Sequence, residues 1–451
     1  MDARPFGVTD DRARSALLRR AIVPTAINDR GGFLDGDQRM PLSANTIDRV
    51  GSSPGRRTMI TRYAPTVEAG GPARPLRILT YLHGFDPGGV ERVALRLNAA
   101  WAARGAQTNI IVGCDSGAAR APATAIQYQV LAGRFVPGPR TRIVHMLLLL
   151  PAIIRRDRPD VIFCAGNTYS AIAVGLRLIL GKACPPIIAK ISNDLARRDM
   201  PWLVRVFYHR WLKIQGRLID HFVGMAPAMA QEIAEGMRVG RDRITIINDP
   251  VLFEAELDRL GATRSPPLAV RKGRRFIAIG RLTAQKNFAL LLAAFARIAA
   301  PDDRLTILGE GPERADLEQR AARLGIADRL AMPGHVDSLD HWLRDADTLV
   351  MSSAYEGVPA VIIEAVAAGL AVVATDCSVS MPDLLGQGRF GKLVPTGDVA
   401  ALAGAMDKAS RCQPCTDSAR AHARRFTIEA GAAAYLETMS RLVRAEAASE
   451  G

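Results

Sequence analysis

Between Leu76 and Thr396 the sequence alternates short apolar runs of strand length with longer amphipathic stretches, and the alternation stops once and begins again. The first series is LRILTYLH (76–83), TNIIVG (108–113), VIFCAG (161–166), PIIAKIS (186–192), HFVGMA (221–226) and ITIIND (244–249). The second is RRFIAIG (274–280), RLTILG (304–309), RLAMPGH (329–335), TLVMSS (348–353), AVVATD (371–376) and GKLVPT (391–396). Runs that are apolar throughout suit strands buried on both faces, and the stretches between them, such as 90–104 and 201–217, supply the covering helices. The reading is α/β: two Rossmann-like doubly wound domains in tandem. The carboxyl ends of both sheets, where such sheets bind ligands, can then face one interdomain cleft.

The boundaries follow from where the pattern fails. Residues 1–74, with INDRGGFLDGDQRM and VEAGGPARP, lack apolar periodicity and are expected to be a disordered extension; Met40 and Met59 within it offer alternative translation starts. Residues 75–254 form the first domain, 255–273 (AELDRLGATRSPPLAVRKG) a linker, and 274–416 the second domain. Residues 417–451 are helical in character and expected to pack back on the first domain. At 451 residues and 48% hydrophobic content, each domain can bury its own core.

Composition removes several classes. The longest apolar run, IVHMLLLLPAII (143–154), holds a His and a Pro and falls short of the ~20 residues a membrane-spanning helix needs. The N-terminus lacks an apolar leader pattern, so the expected compartment is the cytoplasm. Six scattered cysteines suit reduced thiols, and the Cys412/Cys415 pair has neither a second pair nor a nearby His to make a zinc site. The net charge of +14 favours phosphorylated ligands, polyanions or an anionic membrane. An aromatic content of 5% and the lack of a recognition element argue against nucleic acid. Residues 197–217 carry six cations, with Leu203, Phe207 and Trp211 at four-residue spacing; this helix suits either an anionic leaflet or a core-packing role with a solvated basic rim.

The chemistry concentrates at strand ends. In AYEGVPAVIIEAVAAGL (354–370) the turn after a strand carries Glu356, Pro359 suits the first helical position, and Gly369 can end the helix. The free N–H groups of that first turn make an anion site. Glu364, among Val361, Ile362, Ile363, Ala365 and Val366, is costly to bury unless hydrogen-bonded; facing a cleft it could accept from two sugar hydroxyls, and otherwise it is a solvent-side Glu on a surface helix. GRLTAQKN puts Arg281 and Lys286 at a strand's carboxyl end, as a diphosphate clamp or a solvated basic loop. Gly88 and Gly89 in DPGGVER let a strand-to-helix turn approach a ligand, or merely turn tightly. GEGPER (309–314) starts like a dinucleotide fingerprint, but Arg314 stands where its last glycine belongs, so NAD is not supported.

In order and spacing these motifs, with LTILGEGPERADLEQRAARLGIADRLAMPGHV and LRDADTLVMSS, resemble the retaining glycosyltransferases of family 4, over roughly 76–445. The resemblance implies a GT-B fold and sugar transfer from a nucleotide diphosphate sugar with retention at the anomeric carbon. By resemblance, Arg281 and Lys286 hold the donor pyrophosphate, Glu356 lies by the donor sugar and Glu364 binds the ribose hydroxyls. The amides of Gly357, Val358, Ala360 and Val361 line sugar and phosphate, His335 and Val336 lie beside the nucleobase, and the Gly88–Gly89 loop serves phosphates and acceptor. Many relatives place a His in the loop after PIIAKIS, whereas this chain has Ser192, Asn193 and Asp194 there. Asn193, Asp194 and His83 are therefore candidates for sugar or acceptor contact.

The family pattern calls for no metal and no cofactor, since Arg281 and Lys286 can neutralise the leaving group. Its implied partners are a nucleotide sugar and a glycan or lipid-linked acceptor, in cell-surface polysaccharide or lipopolysaccharide synthesis. Rival readings are a nucleotide-sugar epimerase or glycosyl phosphorylase of the same architecture, and a basic nucleic-acid-binding protein.

Overall fold

A computed structural model of the chain describes residues 74–85, 89–114, 127–131, 141–193, 195, 200–262, 272–336, 338–409 and 416–450. The expected N-terminal extension, apart from Arg74, and the Cys412/Cys415 pair lie outside them. The first domain runs β1 (Arg77–Leu82), α1 (Gly89–Ala103), β2 (Gln107–Val112), β3 (Tyr128–Val130), α2 (Arg142–Asp157), β4 (Val161–Cys164), α3 (Ser170–Leu180), β5 (Ile187–Lys190), α4 (Trp202–Leu218), β6 (His221–Gly224), α5 (Met229–Met237) and β7 (Ile244–Ile246). After α6 (Glu254–Ala262) the second runs β8 (Arg275–Ile279), α7 (Phe288–Ile298), β9 (Arg304–Leu308), α8 (Arg314–Arg323), β10 (Leu330–Gly334), α9 (Asp340–Asp345), β11 (Thr348–Met351), α10 (Ala360–Ala367), β12 (Ala371–Thr375), α11 (Met381–Leu384), β13 (Gly391–Val394) and α12 (Val399–Ala409). Helices α13 (Thr416–Ala423) and α14 (Ile428–Glu450) close the chain.

Every strand in both sheets is parallel to its neighbours, which is why the runs are apolar on both sides. β4, β5, β6 and β11 are buried at every position. The sequence gives no signal for β3, three residues on the sheet edge with no fully buried side chain.

The first sheet has the order β3-β2-β1-β4-β5-β6-β7 and the second β10-β9-β8-β11-β12-β13. The order reverses direction between β1 and β4, and again between β8 and β11. Loops leaving those strand ends splay apart and leave the crevice in which doubly wound sheets bind ligands.

Two stretches cross between the domains side by side. Leu252 bridges Thr427, Val251 N–H donates to Phe426 O at 2.8 Å, and Ile428 N–H to Leu252 O at 2.7 Å. The segment expected as linker opens as helix α6, because Leu257 and Leu260, one turn apart, bury in the second core; 263–271 lie outside the described residues. α14 returns to the first domain, where Ile428, Ala432, Tyr435 and Met439 join its core. Tyr435 packs edge-on against Trp101 and Phe163, with centroids 5.9 and 5.4 Å away. At the same junction Lys190, 2% exposed at the end of β5, forms a buried ion pair with Asp249.

Candidate active site

Because β8 and β11 are neighbours at the reversal, the loops after them run together. Ser352 Oγ donates to Lys286 O at 2.8 Å, Ala354 N–H to Gln285 O at 2.8 Å, and Gln285 Nε2 to Tyr355 O at 3.0 Å. These ties bring Lys286 Nζ to 2.5 Å from Glu356 Oε1, both side chains largely buried. Arg281, in the same loop, is exposed.

The glycines of GEGPER explain their own presence. A Cβ on Gly311 would stand 2.3 Å from Leu282 O, and Leu282 N–H donates to Glu310 O at 2.9 Å. They let the loop after β9 support the Arg281–Lys286 loop from below, a packing duty unrelated to a dinucleotide.

Gly357 is fixed from two sides. Ser378 Oγ and Ser380 Oγ both donate to its carbonyl, at 2.7 and 2.6 Å. Across the cleft it forms an isolated bridge with Asn193, and a Cβ there would lie 2.1 Å from Ser192 O. Val358, beside it, packs against the cores of both domains. The two domains therefore touch at the acidic loop itself. Asn193 is set from behind: Asn167 Oδ1 accepts from Ser192 N–H at 2.7 Å.

Pro359 is extended (φ −73°, ψ 106°) and precedes the helix, so the first helical residue is Ala360 rather than Pro359; Gly369, at φ 71°, follows the last turn. Ala360 and Val361, half-buried, carry first-turn amides that no intrahelical carbonyl can satisfy. Glu364 is buried, not on the solvent side of its helix. Arg92 on α1 of the first domain reaches to 3.7 Å from its Oε1. Burial pushes the Glu364 carboxyl above its ordinary range, with Arg92 and Arg96 pulling the other way.

The first-domain reversal carries an aromatic group. The His83 ring lies 4.6 Å from Tyr169, and Tyr169 Oη donates to Glu91 Oε1 at 2.6 Å. Gly89 opens α1, where an added Cβ would meet nothing within 4 Å among the described residues. Gly88 and Asp194 lie outside the described residues. His335 is exposed after β10, and Val336 leans on the second core. β10 is the far edge strand, two strands from the reversal, and its end is tied to the neighbouring loop by Gly309 N–H, which donates to Gly334 O at 2.8 Å.

The sequence pattern marks the acidic loop but gives no signal for Arg92, Gln285, Ser378 and Ser380, which contact that stretch, or for Asn167 and Tyr169, which order the facing loops of the first domain. Arg92 lies in the DPGGVER motif, three residues beyond its glycine pair. The thiol of Cys377, whose carbonyl accepts from Glu356 N–H at 3.3 Å, is pushed up to about 12 by burial and by Glu356, which disfavours the thiolate. Among the described residues no three His, Cys, Asp or Glu side chains are grouped to hold a metal ion.

Two nucleotide-fold domains, a Lys–Glu pair at one sheet reversal and a buried Glu facing the opposite domain define the GT-B class. The family models agree: Glycosyltransferase Family 4 matches residues 87–251 and glycosyl transferases group 1 matches 273–411, and the chain belongs to this family. Phosphatidyl-myo-inositol mannosyltransferase of Mycobacterium leprae is 29% identical over 339 residues, 72% of this chain and 84% of its own. The N-acetylgalactosamine-N,N'-diacetylbacillosaminyl-diphospho-undecaprenol 4-alpha-N-acetylgalactosaminyltransferase of Campylobacter jejuni is 23% identical over 218 residues, and this chain spans 56% of its length. HepE of Anabaena, crystallised with UDP and glucose, superposes over 81% of this chain and 99% of its own, with a TM-score of 0.65 at 18% identity, a likeness of fold.

Proposed function

We propose that this protein transfers a glycosyl group from a nucleotide diphosphate sugar to a glycan or lipid-linked acceptor, with retention of configuration, in cell-surface polysaccharide or lipopolysaccharide synthesis on the cytoplasmic side. The observation that carries this reading is the meeting of Lys286, Glu356 and Gly357 with Asn193 of the other domain at one cleft. The names of two relatives, for phosphatidyl-myo-inositol and for a diphospho-undecaprenol-linked sugar, support a lipid-linked acceptor. The UDP and glucose held by HepE support a nucleotide-sugar donor.

In this reading Lys286 and Arg281 neutralise the diphosphate as the bond from the anomeric carbon to its oxygen breaks. The acceptor hydroxyl attacks the same face, and its proton passes to the departing phosphate oxygen. Glu356, held by Lys286, orients the sugar rather than attacking it. Glu364 accepts from the ribose hydroxyls, and the amides of Gly357, Val358, Ala360 and Val361 face the sugar and phosphate.

The test is thermal stabilisation by UDP-, GDP- and ADP-linked sugars, followed by release of nucleotide diphosphate with and without acceptor. A melting-temperature rise for one nucleotide class, with release that needs the acceptor, is expected. Stabilisation by none of the donors, or release independent of acceptor, would overturn the reading.

A further inference from the structure

Helices α2, α3 and α4 lie side by side on one face of the first sheet, with α3 packed against both others. They hold eleven of the fifteen large apolar side chains exposed among the described residues, so the exposure is a patch and not scatter. Leu148 on α2 is 72% exposed, Leu178 on α3 68% and Phe207 on α4 67%. Gly175 on α3 lets α2 approach closely, since an added Cβ there would stand 2.5 Å from Leu147 Cδ2.

The structure alters the amphipathic reading of α4. Four-residue spacing drifts by ~40° per step on a helix of ~3.6 residues per turn, so Leu203 and Phe207 point outward while Trp211 has rotated onto the core. The outward stripe is Leu203, Phe207, Arg210, Ile214 and Arg217. On α2 it is Val144, Leu148 and Arg155. Each begins apolar and ends cationic. α3 and α4 contain no acidic residue, and the one on α2, Asp157, is held by Arg156 and Asn109. Among the described residues no carboxylate pairs with Arg205, Arg210, Lys213 or Arg217.

We propose that this three-helix face docks the protein on an anionic lipid leaflet. Apolar side chains flanked by cations, four of them without a carboxylate partner among the described residues, match a bilayer surface, with acyl chains beneath anionic headgroups. A second copy would set these cations against their like. No described helix is long and apolar enough to cross the bilayer, so contact is with its surface. In a parallel sheet the helices start at the carboxyl strand ends, so the apolar halves of α2 and α4 lie toward the cleft. α4 is the next helix after Asn193, which touches Gly357. That a lipid-linked acceptor passes from leaflet to cleft rests on the transfer reading; the docking itself does not.

The experiment is flotation of the full chain with phosphatidylcholine vesicles, with and without phosphatidylglycerol. Phosphatidylglycerol-dependent, salt-sensitive binding is expected. Leu148→Glu and Phe207→Glu should each weaken it about tenfold or more, and Arg210→Glu about fivefold or more. Leu324→Glu, an exposed apolar site in the second domain, serves as control and should bind like wild type. All four variants should keep the thermal response to nucleotide sugar, so failure of docking and failure of the transfer reading are read separately. Wild-type binding by Phe207→Glu, or no dependence on phosphatidylglycerol, would overturn the proposal. So would a dimer that Phe207→Glu dissociates in a protein that ignores vesicles, since the face would then join two copies.

Discussion

Arg92 on the first helix of one domain stands 3.7 Å from Glu364, a carboxylate buried in the other, so the charge that could hold a ribose is balanced from across the cleft. Neither residue could be so placed by its own domain. If Glu364 binds the ribose as proposed, the pair would link donor binding to how the domains approach.

Glu364→Ala should weaken nucleotide-sugar binding by about 1.5–3 kcal/mol, the range for hydrogen bonds to a charged group, seen as loss of the thermal shift. Because burial raises the carboxyl, with Arg92 opposing, binding should fall as acid passes through a range above that of an ordinary carboxylate. Arg92→Ala removes that opposition and should move the acid limb to higher pH. An unmoved limb would count against the pairing.

Lys286→Ala or Arg281→Ala should lower turnover by roughly 2–4 kcal/mol, as for loss of a donor to developing charge. Lys286 and Glu356 share one contact, so Lys286→Ala with Glu356→Gln should cost less than the two singles added. Steady-state rates of the four proteins complete the cycle, and strict additivity would mean the two act apart.

Lys190→Met leaves Asp249 buried without its cation and should destabilise the protein by about 3–5 kcal/mol. Adding Asp249→Leu should recover most of that loss. Urea unfolding measures both; a double variant no better than Lys190→Met would show that the pair does more than neutralise itself.

Burial, helped by Arg441 and Arg243, lowers His221 to about 4 from 6.5. Between those values the unfolded chain binds a proton that the folded chain refuses, so this contribution is full above pH 6.5 and is lost as pH falls toward 4. The expected loss is on the order of 2 kcal/mol after discounting for solvent screening. His221→Gln, which can keep the bond to Thr245, should flatten the profile between those limits.

Both sheets were legible from the chain alone because strands covered on both faces are apolar at most positions, and each of the twelve apolar runs overlaps one strand. β3 was not, since three edge residues carry no periodicity. Lys286 and Glu356 could be assigned to strand ends from local pattern. Their 2.5 Å contact could not, because 70 residues separate them and only the reversal of strand order brings those ends together. The same holds for Arg92 with Glu364 and for Gly357 against Ser192, where two separately folded sheets meet. For α4 the sequence set the mixture of apolar and cationic residues, while the neighbours α2 and α3 decided which side met the core and which met solvent. Periodicity fixes what each segment can become, because backbone geometry is local; which charges meet is decided by topology and packing, because those contacts exist only once the whole chain has closed.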